Sequence, residues 1–246
     1  MVNGKSKNVF TFTIYHLPFT IMNIAIIVAA GSGTRFGAEK LKQFLEILGK
    51  PLIIHTLERF ESCPSIDEIV LVLPFKEIEN FKKTAEKFNL KKLAKTIAGG
   101  QTRTESVFNG LNSIDSKRTE IVAIHDGARP LVSSEEISRT IEQARETGAA
   151  CLVAAVTDTI KEIRDGKIVG TIDRKQLRRA LTPQAFQFDI LQRAFAQSDL
   201  SETATDECFL VEKLGYKVAT VEGSAKNIKI TAPEDFILAE ILLQQF

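Results

Sequence analysis

Asn23-Ile-Ala-Ile-Ile-Val-Ala-Ala30-Gly-Ser-Gly-Thr-Arg35-Phe-Gly37 decides the fold. A continuous apolar run that stops at glycines reads as a strand buried on both faces, running into a turn whose bare backbone can approach a ligand closely. The chain around it alternates strands and helices. Pro51 opens a helix with Ile54, Leu57 and Phe60 at helical spacing, Ile69–Leu73 is a second strand stopped by Pro74, and Ile78, Phe81, Ala85 and Phe88 share one helical face. A helix over 102–113 follows Gly99-Gly100, and Glu120–Ile124 is a strand ending at His125-Asp126-Gly127. Ser133 and Glu136 form a capping box for a helix through Ile137, Ile141 and Ala144 that Gly148 closes, and Ala149–Val156 is apolar again. Strands apolar on both faces, each followed by a helix, argue for an α/β fold with a mostly parallel sheet covered on both sides. In such sheets ligands sit at the carboxyl ends of the strands.

One segment breaks the alternation. Residues 157–173 switch polar and apolar around Asp165-Gly166, a favoured hairpin turn, and read as a projecting β-arm. A lone hairpin is marginal in water, so the arm is expected to pack on a second subunit. Beyond it, Thr205 starts a helix ending near Gly215, Lys217–Val221 and Asn227–Ile230 are short strands, and Thr231-Ala-Pro-Glu234 caps a last helix.

The glycine loop excludes two common nucleotide sites. A dinucleotide fingerprint needs a third glycine where Phe36 stands, and an acidic residue after the second strand, which ends Leu73-Pro74; this sets aside a dehydrogenase. A P-loop needs Gly followed by Lys and Ser/Thr, which is absent. What remains is backbone N–H groups of Ala29, Ala30, Gly31 and Gly33 beside the charges of Arg35 and Lys42, an arrangement suited to a nucleoside triphosphate. Arginine supplies a fork and lysine a point charge for phosphate oxygens. Asp126, just past an apolar strand, can give one oxygen to Mg²⁺ while phosphates supply others. Arg129 can grip a phosphate or simply pair with Asp126, and His125 reads as a packing or hydrogen-bonding residue. Lys229, between Ile228 and Ile230, points to the face opposite its neighbours.

A formal net charge of +1 gives no global field for nucleic acid or a membrane, and no run of 18 apolar residues occurs. Cys63, Cys151 and Cys208 are too far apart for a zinc or disulfide framework and read as free buried thiols of a cytoplasmic protein. In residues 1–21, His16 and Pro18 interrupt any signal-peptide core and no arginine precedes Arg35, so this stretch is expected to be a disordered extension before a single domain over 22–246, with the arm at about 156–178.

Together, Ala29-Ala-Gly-Ser-Gly-Thr-Arg35, Lys42-Gln-Phe44, Gly99-Gly100 with Arg103 and Ser106, His125-Asp-Gly-Ala-Arg-Pro130, Asp158-Thr159-Ile-Lys161, Asp173-Arg174, Leu181-Thr-Pro-Gln184, Thr205-Asp-Glu207 and Asn227-Ile-Lys229 resemble the 2-C-methyl-D-erythritol 4-phosphate cytidylyltransferase family of the non-mevalonate isoprenoid pathway. The resemblance runs from about residue 22 to the C-terminus. It implies a Rossmann-like nucleotidyltransferase in which a sugar-alcohol phosphate attacks the α-phosphorus of CTP, with Mg²⁺ and a homodimer formed through the arm. By position it implies that Arg35, Lys42 and Lys229 stabilise the transferring phosphate and that Asp126 lies near the metal and substrate. Gly100, Gln101 and Ser106 fall in the cytosine-recognition segment, Thr159 and Arg174 on the arm that reaches the partner's site, and Arg129, Thr182 and Thr205 on the substrate side. Leu41 stands where the family often has proline, and Gln101 where some members have aspartate; neither change removes a charge from the phosphate site. The alternatives are the sister branch that serves ribitol 5-phosphate and a non-catalytic nucleotide-binding homologue; the context of Leu181, Arg174 and Thr205 resembles the methylerythritol branch, and the presence of Lys42 and Lys229 speaks against the homologue.

Overall fold

The computed structural model describes residues 21–31, 41–198 and 206–245; residues 1–20, Gly33, Arg35 and Thr205 lie outside them. In chain order come β1 (Met22–Val28), β2 (Glu46–Ile47), β3 (Lys50–Pro51), α1 (Leu52–Glu61), β4 (Glu68–Leu73), α2 (Ile78–Ala85), β5 (Leu93–Ala98), α3 (Arg103–Asn112), β6 (Thr119–Asp126), α4 (Ser134–Thr147), β7 (Ala149–Ala155), β8 (Ile160–Arg164), β9 (Lys167–Ile172), β10 (Arg178–Gln187), α5 (Phe188–Gln197), α6 (Glu207–Lys213), β11 (Ala219–Glu222) and α7 (Pro233–Leu243). Seven strands form one sheet in the order β11-β7-β10-β6-β1-β4-β5. Every neighbouring pair is parallel except those of β10, which runs antiparallel to both β6 and β7. The expected α/β architecture is therefore present, with one reversed strand.

The apolar run of β1 shows why both faces are covered. Ala25, Ile27 and Ala29 point to a core built with Ile53, Leu57 and Phe60 of α1 and Ile137 and Ile141 of α4. Ile24 and Ile26 alternate to the other face, among Val107 and Leu111 of α3, Leu191 and Phe195 of α5 and Val211 of α6. Ile26 and Ile27 are fully buried, and each contributes about 2 kcal/mol through the apolar surface it removes from water. The capping box of Ser133 and Glu136 is formed as the sequence predicts.

The register of the central strands places the site. Val28 pairs with Val72 of β4 and with Asp126 of β6, so the glycine loop and Asp126 leave the sheet side by side. Gly127 N–H donates to Val28 O (2.8 Å) and Ala29 N–H to Val72 O (2.9 Å), which locks these strand ends together.

Other segments depart from expectation. Asn227–Ile230 is extended but joins no ladder; Ile230 N–H donates to Ala128 O (2.9 Å) and Asn227 Nδ2 to Thr182 O (2.9 Å), so it is tied to loops instead of a sheet edge. The strand expected over Lys217–Val221 forms only as β11. The cap of α7 comes from Asp235, not Glu234: its Oδ2 accepts from Thr231 N, Thr231 Oγ1 and Ala232 N. The arm is present as the β8–β9 pair with Asp165 and Gly166 at φ 50° and 73°, as a type I′ turn requires. It leaves Ile163, Ile168, Val169 and Ile172 exposed.

Candidate active site

At the carboxyl ends of β1, β5 and β6 lies a cavity of about 600 Å³. Val28–Gly31 form one wall, Gly100–Arg103 with Ser106 a second, and Asp126, Ala128, Lys42, Gln43, Lys229 and Thr231 the rest.

Asp126 is the electrostatic centre. Its side chain is 8% exposed, and three cations converge on it: Arg103 Nε on Oδ1 (3.0 Å), Arg129 Nε on Oδ2 (3.3 Å) and Lys229 Nζ on Oδ2 (2.9 Å). Burial alone would push this carboxyl upward, but Arg103, Lys229 and Arg129 outweigh it and hold Asp126 far below the usual carboxylate range. Arg103 is gripped from behind by Glu207, whose two oxygens accept from Nη1 at 2.7 and 2.9 Å. Burial opposes the charge of Arg103, yet Glu207 and Asp126 together raise its pKa. Burial likewise pushes Glu207 up against the pull of Arg103; since both its oxygens accept from the guanidinium, its ionised form is the one the geometry describes.

The two expected lysines are held by one stretch of chain. Lys42 opens a short 3₁₀ turn and donates from Nζ to Ile230 O (2.7 Å), next to Lys229. Leu41 before it has φ −61°, the value a proline would impose, so the leucine preserves the backbone path. Gln43 is buried, and its Nε2 donates to Ala29 O (2.8 Å) and Gly31 O (3.2 Å), pinning the carbonyls of the glycine loop.

At the other end, Ser106 Oγ accepts from Gly100 N–H (3.1 Å) and donates to Thr102 O (2.8 Å), while Gln101 N–H donates to Glu105 Oε2 (2.6 Å). Gly99 allows this closeness: a Cβ there would lie 2.3 Å from Ala30 Cβ and 2.8 Å from Ser106 Oγ. Ala29, Ala30, Gly31, Gly100, Gln101, Ser106, Lys42, Asp126 and Lys229 thus all line this one cavity.

The substrate-side residues separate into two groups. Arg129 pairs with Asp126 and donates from Nη1 to Asn227 O (2.8 Å), and Thr182 is buried, with Oγ1 accepting from Asp126 N–H (3.2 Å). Thr159 and Arg174 are exposed on the arm and do not line this chain's cavity; Arg174 bonds Thr157 O. Arg103, Gln43 and Glu207 were not singled out as site residues by the sequence. Arg103 had a usable signal, a basic residue in the first turn of the helix after Gly99-Gly100; Glu207 had none beyond its place in a quoted motif.

His125 sets the loop geometry. Its Nε2 faces Arg129 O (3.0 Å) and so carries the hydrogen, and Nδ1 accepts from Thr182 Oγ1 (3.0 Å). Burial lowers its pKa to about 4, so it is neutral at pH 7. The unfolded chain binds a proton near pH 6.5 that the folded one refuses until about pH 4, so His125 stabilises the fold above pH 6.5 and that stability drains as pH falls to 4. The expected loss is about 3 kcal/mol. Urea unfolding of wild type and His125→Gln at pH 7 and 4.5 measures it: the variant's fall over this range is smaller, and equal falls would remove His125 as the cause.

A model of the family described as IspD, 2-C-methyl-D-erythritol 4-phosphate cytidylyltransferase, matches residues 23–245. An enzyme of that name from Clostridium perfringens is 46% identical over 220 residues, 88% of this chain and 96% of its own length. Another from Bacillus licheniformis is 40% identical over 225 residues, 91% and 96% of the two chains. Among solved structures, the 4-diphosphocytidyl-2C-methyl-D-erythritol synthase of Anaerococcus prevotii has a TM-score of 0.79 at 33% identity, covering 91% of this chain and 96% of that one. The cytidylyltransferase of Thermus thermophilus has a TM-score of 0.73 at 32% identity, covering 91% and 100%.

Proposed function

This chain belongs to the 2-C-methyl-D-erythritol 4-phosphate cytidylyltransferase family, and from that premise we propose that the Asp126 cavity binds CTP and moves its cytidylyl group to the phosphate of 2-C-methyl-D-erythritol 4-phosphate. The carrying observation is one cavity lined by Val28–Gly31, Lys42 and the Asp126 carboxylate with its partners Lys229 and Arg103.

In this reading a phosphate oxygen of the acceptor attacks the α-phosphorus of CTP in line, a P–O bond forms, the bond to the β-phosphate oxygen breaks, and pyrophosphate leaves with its charge. Catalysis is positioning plus stabilisation of charge on the equatorial oxygens. Backbone amides of Ala30 and Gly31 meet the triphosphate, together with Gly33 and Arg35 from the glycine loop, while the Ala29 N–H stays committed to Val72 O. Lys42 and Lys229, anchored on Ile230 O and Asp126, turn their ammonium groups toward the phosphates. Gly100, Gln101 and Ser106 receive the base. Arg129 and Thr182 hold the Asp126 loop on the acceptor side, and Thr205, outside the described residues, is assigned to that side by its place in the family's motif alone. Asp126 fits a single-carboxylate Mg²⁺ site: a carboxylate offers about four lone-pair positions, three are occupied by cationic donors, and phosphates and water supply most Mg²⁺ ligands. When bound, the ion neutralises phosphate charge. Among the described residues no cluster of three His, Cys, Asp or Glu offers another site.

The exposed apolar face of the arm supports a homodimer, with Thr159 and Arg174 serving the partner's cavity. Co-expressed Lys42→Ala and Arg174→Ala chains are therefore expected to recover about a quarter of wild-type activity, since half the dimers are mixed and each has one intact site. Recovery of none would place Arg174 in its own chain's site, and recovery of about half would place it outside the chemistry. The three buried free cysteines support a cytoplasmic setting, and no helix among the described residues is long and apolar enough to cross a membrane.

The reading is tested by pyrophosphate release from CTP with methylerythritol 4-phosphate and ribitol 5-phosphate in parallel. Turnover with the first alone is expected. Turnover with the second alone moves the chain to the sister branch, and silence with both overturns the acceptor assignment.

A further inference from the structure

We infer that Glu207 is a positioning residue for cytidylyl transfer: acting through Arg103, it fixes the Asp126 carboxylate and limits how tightly the cavity holds phosphate. This rests on the cytidylyltransferase reading above.

Charges of alternating sign run back from the cavity. Lys229 Nζ meets Asp126 Oδ2 at 2.9 Å, Asp126 Oδ1 meets Arg103 Nε at 3.0 Å, and Arg103 Nη1 meets both oxygens of Glu207 at 2.7 and 2.9 Å. Glu207 does not line the cavity and its side chain is 1% exposed, so it touches no substrate. Its own place is fixed by its neighbours. Asp206 Oδ2 accepts from Gln184 Nε2 (2.8 Å), and Cys208 N–H donates to Gln184 Oε1 (3.2 Å), so the first turn of α6 is bolted to β10 on either side of Glu207.

Glu207 acts in two ways. It occupies the Nη1 corner of the guanidinium and thereby aims Nε at Asp126; without it, Arg103 is drawn toward incoming phosphates and Asp126 loses a fixed partner. Glu207 also sets the sign of the cluster. Arg103, Arg129 and Lys229 against Asp126 and Glu207 leave three positive and two negative charges, a surplus of one; neutralising Glu207 doubles the surplus of this ion-pair cluster and so adds one positive charge beside a cavity that Lys42 also lines and that must release a polyanion. Extra buried positive charge favours bound pyrophosphate.

The test uses Glu207→Gln, which keeps the shape and one acceptor, with Arg103→Gln and the double variant. Turnover is followed with CTP and methylerythritol 4-phosphate, and Kd for CTP and pyrophosphate by calorimetry. Expected for Glu207→Gln is pyrophosphate binding about three- to tenfold tighter with kcat at least about tenfold lower. The double variant should be no slower than Arg103→Gln alone, because the two residues act as one unit. A residue that only props up the fold would weaken binding and turnover together, and its effect would multiply with that of Arg103→Gln; either result, or a wild-type kcat in Glu207→Gln, overturns the inference. The Kd comparison needs no turnover. A wild type that binds CTP but transfers nothing, with the tightening still present, removes the acceptor assignment and leaves the charge-setting role standing; a wild type that turns over while Glu207→Gln shows no change in Kd or kcat removes only the inference.

Discussion

Lys42→Ala is expected to lower kcat by at least about a hundredfold, comparable to losing one preorganised electrostatic donor. Its ammonium is already placed before CTP arrives, held on Ile230 O at 2.7 Å beside Lys229. Placement of that kind costs no reorganisation during reaction, which is where its catalytic value lies. The side chain is half-buried and outside the main cores, so the variant should fold with a Tm close to wild type. Steady-state kinetics together with a melting curve separate the two effects. A kcat within about threefold of wild type would remove Lys42 from the chemistry, and a collapse of Tm would make the loss structural.

Asp126→Ala is expected to have the second large effect, this time on the fold. Deletion leaves Arg103, Arg129 and Lys229 facing one another without the carboxylate that now holds all three. Removing one partner from a buried charge network costs about 3 kcal/mol. The same physics predicts partial rescue by an anion, because a bound pyrophosphate takes the place of the missing charge. Thermal unfolding with and without millimolar pyrophosphate should show a larger stabilisation in Asp126→Ala than in wild type. A wild-type Tm in the variant would mean that the cations relax into water at no cost, and the network would then carry little of the site's rigidity.

Much of the site was legible because it follows from strand ends. The apolar runs of β1 and β6 stop at Ala29 and Asp126, and a parallel sheet brings such ends together; register then pairs Val28 with Asp126. Strand alternation puts Lys229 on the face opposite Ile228 and Ile230, and it does reach Asp126, although no strand forms there. The reversed strand β10 was not legible. Its sequence Arg178-Arg-Ala-Leu-Thr-Pro-Gln-Ala-Phe-Gln187 has no continuous apolar run and contains Pro183, which has no N–H for a ladder; the pairing with β7 is interrupted there, between Ala180 and Gln184. Strand β5 was missed because its half-exposed edge position asks little of its side chains. Arg103 and Glu207 stand 104 residues apart, and nothing local to either signals the other. Their partnership exists only once β10 has seated α6 behind the cavity.

Whether the Asp126 cavity directs the acceptor phosphate onto the α-phosphorus of CTP is decided by mass analysis of the products formed from CTP and methylerythritol 4-phosphate carrying ¹⁸O in its phosphate group. In-line attack by that phosphate puts all the label in the cytidine diphospho-linked product, including its bridging oxygen, and none in pyrophosphate. Label in the released phosphate species, or CMP in place of pyrophosphate, would contradict this assignment.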